Sequence, residues 1–132
     1  MSRSALSGKV FAVYLFILGP VLIAVPNALL ALFGIAPSSE VWIRVVGLLV
    51  CLLGVHIWIA ARHAIRPLLQ ASVYTRTAVF IVLSTFALLG LSSPMLALFG
   101  VIDLLGAAWT CYALKADAQA GKTVAAGRYP RT

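Results

Sequence analysis

The sequence predicts an all-α membrane protein of four transmembrane helices in an up-down bundle, with the N- and C-termini in the cytoplasm. Three observations carry this reading. First, the chain has 132 residues, of which 63% are hydrophobic and 10% charged, and its mean hydropathy is +1.08; ordinary soluble domains are only about half apolar. So short a chain leaves too much surface wet to hide that content in one soluble core, so lipid must take it. Second, the apolar residues form continuous runs of the length a helix needs, about 20 residues for a hydrocarbon core of roughly 30 Å. They lack the two-residue alternation of barrel strands, and helices satisfy their own backbone groups in lipid. Third, the cations gather at alternate ends of those runs.

The expected spans are about 10–33, 41–61, 71–91 and 95–114, making one domain over 1–115 followed by a mobile basic tail over 116–132. In the first span Pro20 and Pro26 each remove a helix hydrogen bond. The segment is therefore either one kinked helix or a span followed by a short interfacial helix after Pro26. Arg3 and Lys9 before the apolar run also resemble a secretory signal, with Ala24 to Ala28 as a candidate cleavage region. The apolar run continues past Pro26, which favours a retained anchor.

The connection Gly34-Ile35-Ala36-Pro37-Ser38-Ser39-Glu40 supplies a stop glycine, a proline and capping serines for the second span. Arg62-His63-Ala64-Ile65-Arg66-Pro67 is basic, and Pro67 is expected to open a turn of helix entering the membrane, with Tyr74 and Arg76 as interfacial anchors. Ser92-Ser93-Pro94 is short enough to make the third and fourth spans a tight antiparallel hairpin, with Pro94 at the helix start. Leu30 to Gly34 recurs as Leu96 to Gly100, but the first copy ends a helix and the second begins one, so no duplicated hairpin is read from it.

An even number of crossings puts both termini on one side. Arg3, Lys9, Arg62, Arg66, Arg76, Lys115, Lys122, Arg128 and Arg131 then fall together, with Arg44 alone opposite. The positive-inside rule makes this a multi-pass membrane protein, N-in and C-in. The cations flank helix ends and do not interleave with stacking aromatics, which argues against nucleic acid as a partner. The lipid bilayer is the expected partner. Cys51 and Cys111 lie within spans and read as small packing residues.

Asp103 is the leading candidate for a functional polar group. It falls about eight positions into the fourth span, or roughly 12 Å from its start. A carboxylate at that depth costs about 2.5 to 3.5 kcal/mol on insertion scales, so it should face the bundle and find a partner. Arg44 is the natural one. Arg44, Gly47, Cys51, Gly54 and Trp58 share one helix face, and Gly100, Asp103, Ala107 and Thr110 share another, with Gly106 nearby. Small residues beside a charge are what close helix packing requires. Alternatively Arg44 snorkels to the outer interface or pairs with Glu40. His56 shares a stripe with His63 in the cytoplasmic half; no further ligand stands at metal or haem spacing, so hydrogen bonding to Thr110, Ser84, Thr85 or Tyr112 is the simpler expectation. Trp42, Trp58, Trp109, Tyr14, Tyr74 and Tyr112 read mostly as interfacial anchors.

Phosphate loops, nucleophile elbows and metal-binding helix pairs are missing from the sequence. The expected function is therefore non-enzymatic, without metal or cofactor: an accessory or assembly partner of a larger membrane system, bound to another membrane protein or to copies of itself. A small oligomeric proton-coupled transporter using Asp103 is the alternative. A lipid-modifying enzyme using Asp103 and His56 as acid and base comes third, because the two differ in depth by about 10 Å.

Leu32-Phe33-Gly34-Ile35-Ala36-Pro37 leading into Trp42-Ile43-Arg44-Val45-Val46-Gly47, then Gly54 and Ala60-Ala61-Arg62, resembles the broad group of small bacterial four-helix membrane proteins related to DoxX. The resemblance covers most of residues 10–114 and implies the four-helix architecture. Such chains often carry an acidic residue beside glycines in a later helix; the only comparable feature here is Asp103 with Gly100 and Gly106, a departure from that pattern. The resemblance also implies a bacterial inner-membrane location. No activity is carried over from the group.

Overall fold

A computed structural model describes residues 1–126, which form helices α1 (Arg3–Ala24), α2 (Pro26–Leu32), α3 (Trp42–Arg62), α4 (Arg66–Leu88) and α5 (Ala97–Ala126), with a 3-10 turn at Pro94–Leu96 before α5. No strand occurs among the described residues. Four helices are long and apolar enough to cross a membrane: α1, α3, α4 and the continuous Pro94–Val124 stretch.

The first apolar segment is two helices. Val25 leaves the helical region at φ −134° and ψ 55°, and Pro26 opens α2. A proline disfavours the helical conformation in the residue before it, so a break falls there. Pro20 carries the same penalty yet stays inside α1, where the adjoining turn is held against α3. A Cβ on Gly47 would lie 2.8 Å from the Gly19 carbonyl oxygen, and Cys51 Sγ fills the space a side chain on Gly19 would need. Farther along the same antiparallel pair, Gly54 meets Leu15 and Phe16, and Gly8 meets Ala61. The small-residue face Gly47, Cys51, Gly54 therefore packs a helix, but that helix is α1. It does not face α5, because α1 has its own matching face at Gly8, Ala12, Leu15 and Gly19, spaced by three and four residues.

Gly100 and Gly106 serve a different pair, α4 with α5. A Cβ on Gly100 would come 3.0 Å from Phe80 Cα, and Ala107 is buried beside them in sequence. Around the bundle α3 packs on α1, α1 on α5 and α5 on α4, whereas α3 and α4 meet over only a short stretch. That contact belongs to the basic end, where Ala60, Ala61, Leu69 and Leu114 form a buried cluster. A second cluster of Phe11, Ala12, Leu15 and Ile57 joins α1 to α3.

At the opposite end α2 and the chain after it close over the bundle. The Phe33 and Phe99 rings lie 4.4 Å apart, Ser93 Oγ donates to the Phe33 carbonyl at 3.4 Å, and Ser38 N–H donates to Asn27 Oδ1 at 2.8 Å.

The stretch from 116, expected as a mobile tail, is helical to Ala126, and its remaining residues 127–132 lie outside the described part. Alanine is the strongest helix former, and this stretch is rich in it. Its emerging turn is also tied down: Asp117 accepts hydrogen bonds from Arg3 N–H (3.1 Å), Ser4 N–H (2.9 Å) and the Ser4 hydroxyl (2.6 Å). These are unpaired amides of the α1 N-terminus, where a carboxylate is stabilised by the helix dipole. The Ser4 hydroxyl bond, joined by the two backbone amides, holds the Asp117 carboxyl below its ordinary value against the opposing effect of burial.

Candidate functional site

The site is built around a charged residue on α4. Helix α4 begins at Arg66, so Arg76 lies about ten residues, or roughly 15 Å, along it. The interfacial position expected for Arg76 is thus corrected: the residue is only 6% exposed and sits within the bundle. Its Nε lies 3.6 Å from Asp103 Oδ1, so the partner of Asp103 is Arg76 on α4 and not Arg44.

Two helices, α1 and α5, make room for the guanidinium. Gly106 on α5 leaves the space it occupies, since a Cβ there would overlap the guanidinium nitrogens. Phe11 on α1 presents its ring 3.5 Å from Arg76 Cζ, a cation–π arrangement that desolvation strengthens. Thr110 on α5 donates to the Gly106 carbonyl at 2.9 Å and lies 3.5 Å from Arg76 Nη1.

This environment under-uses Arg76. A guanidinium has five N–H donors in a planar fork. Among the described residues its one hydrogen bond is the long contact with Thr110, and Nε is buried with no hydrogen-bond partner. The separation from Asp103 is that of an ion pair, longer than a hydrogen bond.

Arg76 and Asp103 form part of the wall of a half-open hollow of about 690 Å³ between the helices. Its sides are aliphatic, from Leu15 and Leu18 on α1, Val50 and Leu53 on α3, and Val79 and Leu83 on α4; Leu29, Leu30 and Phe33 close the end under α2. The polar groups are few: Tyr14, Ser72, Thr75, Arg76 and Asp103. Ser72 and Thr75 spend their hydroxyl protons on α4 carbonyls, at 2.8 and 3.1 Å. A mainly apolar hollow of roughly 300–1,000 Å³ with a few convergent polar groups is the usual form of a small-molecule site.

The other candidates lie apart from it. Arg44 donates from Nη1 to the Ile23 carbonyl, satisfying the C-terminal end of α1, and it forms no ion pair with Asp103 or Glu40 among the described residues. The reason is the packing of α3 on α1, which separates the two stripes read from the sequence. His56 is exposed on the outer face of α3, with Nδ1 2.7 Å from the Leu52 carbonyl of its own helix; none of Ser84, Thr85, Thr110 or Tyr112 is its partner. Tyr14, expected at a membrane boundary, lines the cavity because α1 begins at Arg3 and places it mid-helix.

Arg76 was legible in principle. Ser72, Arg76, Val79 and Leu83 follow one helical face, and Gly106 stands three residues from Asp103. Starting the third span at 71, five residues after the true helix start, raised Arg76 to the interface by about 7 Å and hid the pairing. A comparison with protein-family models, with curated proteins and with solved structures finds no match. The functional reading therefore rests on the site itself.

Proposed function

We propose that this protein holds a lipid-soluble small molecule between its transmembrane helices and serves as a non-enzymatic accessory or assembly partner of a larger system in the inner membrane. The observation that carries the binding role is the 690 Å³ apolar hollow bordered by Arg76, which is 6% exposed and whose Nε has no hydrogen-bond partner. Buried polar groups are ordinarily hydrogen-bonded, and an unsatisfied one beside a roomy cavity is a place for a ligand group.

The alternatives draw less support from the geometry. A proton-carrying role for Asp103 is disfavoured by the guanidinium beside it, which compensates a fixed carboxylate. Acid–base catalysis by Asp103 with His56 needs both at one substrate, and His56 lies on the exposed face of α3. The proposed orientation, both termini cytoplasmic, draws on the charge distribution. With Arg76 assigned to the interior, Arg3, Lys9, Arg62, Arg66, Lys115, Lys122, Arg128 and Arg131 stand against Arg44 alone.

Binding of tritiated dodecanol to the protein in lipid nanodiscs, compared with empty nanodiscs, tests the ligand role. A saturable component is expected, and Leu83→Trp, which fills the cavity, should weaken it by about tenfold or more while the helical circular dichroism is kept. Uptake no greater than that of empty nanodiscs contradicts the role.

A further inference from the structure

We infer that the cavity selects an uncharged, single-chain amphiphile whose small head both donates and accepts a hydrogen bond, as a long-chain alcohol or primary amide does. This rests on the ligand-binding reading above and adds the class of ligand.

The head is specified by the ion pair. Arg76 and Asp103 carry opposite charges 3.6 Å apart, both little exposed, with side chains 7% and 14% accessible. Their fields largely cancel at a distance, so an ion entering the apolar cavity loses its hydration and gains no net counter-charge. Burying a third, uncompensated charge in such a medium is strongly unfavourable.

A neutral dipolar head meets the opposite situation. Arg76 Nε is enclosed and faces Asp103 Oδ1 at 3.6 Å, longer than a hydrogen bond, so the pair keeps hydrogen-bonding capacity that its own contact does not use. One hydroxyl or amide accepts from the guanidinium and donates to the carboxylate. Both unmet groups are then satisfied without changing the net charge.

The chain is specified by the rest of the wall. Its residues on α1 run from Phe11 to Leu22, a length of roughly 16 Å along the helix axis. Apart from Arg76 and Asp103, the cavity's polar side chains are hydroxyl-bearing, and the two on α4 already donate to backbone carbonyls. A second polar head has no charged partner elsewhere in the wall.

Three tritiated probes with the same twelve-carbon chain test this in nanodiscs: dodecanol, dodecanesulfonate and dodecyltrimethylammonium, each corrected for uptake by empty nanodiscs. The wild-type protein should bind dodecanol at least about tenfold more tightly than either ion. Asp103→Asn leaves the Arg76 charge uncompensated and should shift the dodecanesulfonate to dodecanol preference by about tenfold toward the sulfonate. Arg76→Gln should produce no such shift toward the anion. Sulfonate or ammonium binding as tight as dodecanol in the wild type overturns the inference, even if Asp103→Asn fails to fold. A folded Asp103→Asn protein with unchanged selectivity also overturns it. Absence of saturable binding by all three probes removes the ligand-binding reading itself, whereas saturable binding without head selectivity removes only this inference.

Discussion

Gly106 and Arg76 fit as a lock and its occupant: the glycine hydrogen stands where any side chain would overlap the guanidinium. Gly106→Ala should therefore destabilise the protein by about 1–3 kcal/mol, the usual cost of overpacking, as read from unfolding in mixed detergent micelles. Arg76→Met should cost more, about 3–5 kcal/mol, because it leaves the Asp103 carboxylate buried without its partner. Combining Arg76→Met with Asp103→Leu should recover much of that loss, since the lone charge is gone. An additive double variant would show that the two side chains do not interact. That Asp103 needed a partner was legible from its depth alone. Which arginine it takes was not, because depth along a helix depends on where the helix begins, and Arg66 to Gln70 carry an ambiguous mixture of charge, proline and leucine.

At the scale of elements, the junction of α1 with the emerging part of α5 is set by Asp117. Its carboxyl is held below the ordinary value of 3.8 by the Ser4 hydroxyl and by the backbone amides of Ser4 and Arg3. The ionised form is thus favoured when α1 and α5 are docked. The resulting stabilisation is fully present above the unfolded value and is lost as pH falls through the lower folded value. Asp117→Asn should flatten this acid dependence, measured as the midpoint of detergent unfolding from pH 6 to pH 3. The effect is modest, because the carboxylate is close to solvent and screened. A helical stretch beyond the apolar span was hidden from hydropathy, since alanine, lysine and glutamine there suit a solvated helix and a mobile tail alike. The break at Pro26 is one of the two outcomes the sequence allows. Proline chemistry locates a strain, and tertiary packing decides whether the helix yields to it: at Pro20 the Gly19–Gly47 crossing holds α1 together.

At the scale of the whole molecule, four apolar helices account for the composition. Their number was legible because lipid imposes length and hydropathy on each span separately. Their neighbours were not, because lipid-facing and core residues have the same character: on α3, Ile57 is 4% exposed and Ile59 is 46% exposed. Small residues mark helix contacts without naming the partner, which is how the Gly47, Cys51, Gly54 face came to be matched with the wrong helix. The proposed orientation is tested by single cysteines in a background lacking Cys51 and Cys111. Ser38→Cys should react with an impermeant maleimide in intact spheroplasts, and Lys122→Cys only after permeabilisation; the reverse pattern would invert the topology.

The central claim, that a ligand occupies the space between the helices, is tested most directly by photolabelling with a dodecanol probe carrying a mid-chain diazirine, followed by mapping of the modified residues. The account predicts labelling of the cavity wall at Leu18, Val50 and Leu83, competed by excess dodecanol and reduced by Leu83→Trp. Labelling confined to the outer face of α3, at residues such as Leu48, Leu52 and Ile59, and insensitive to competitor would contradict it.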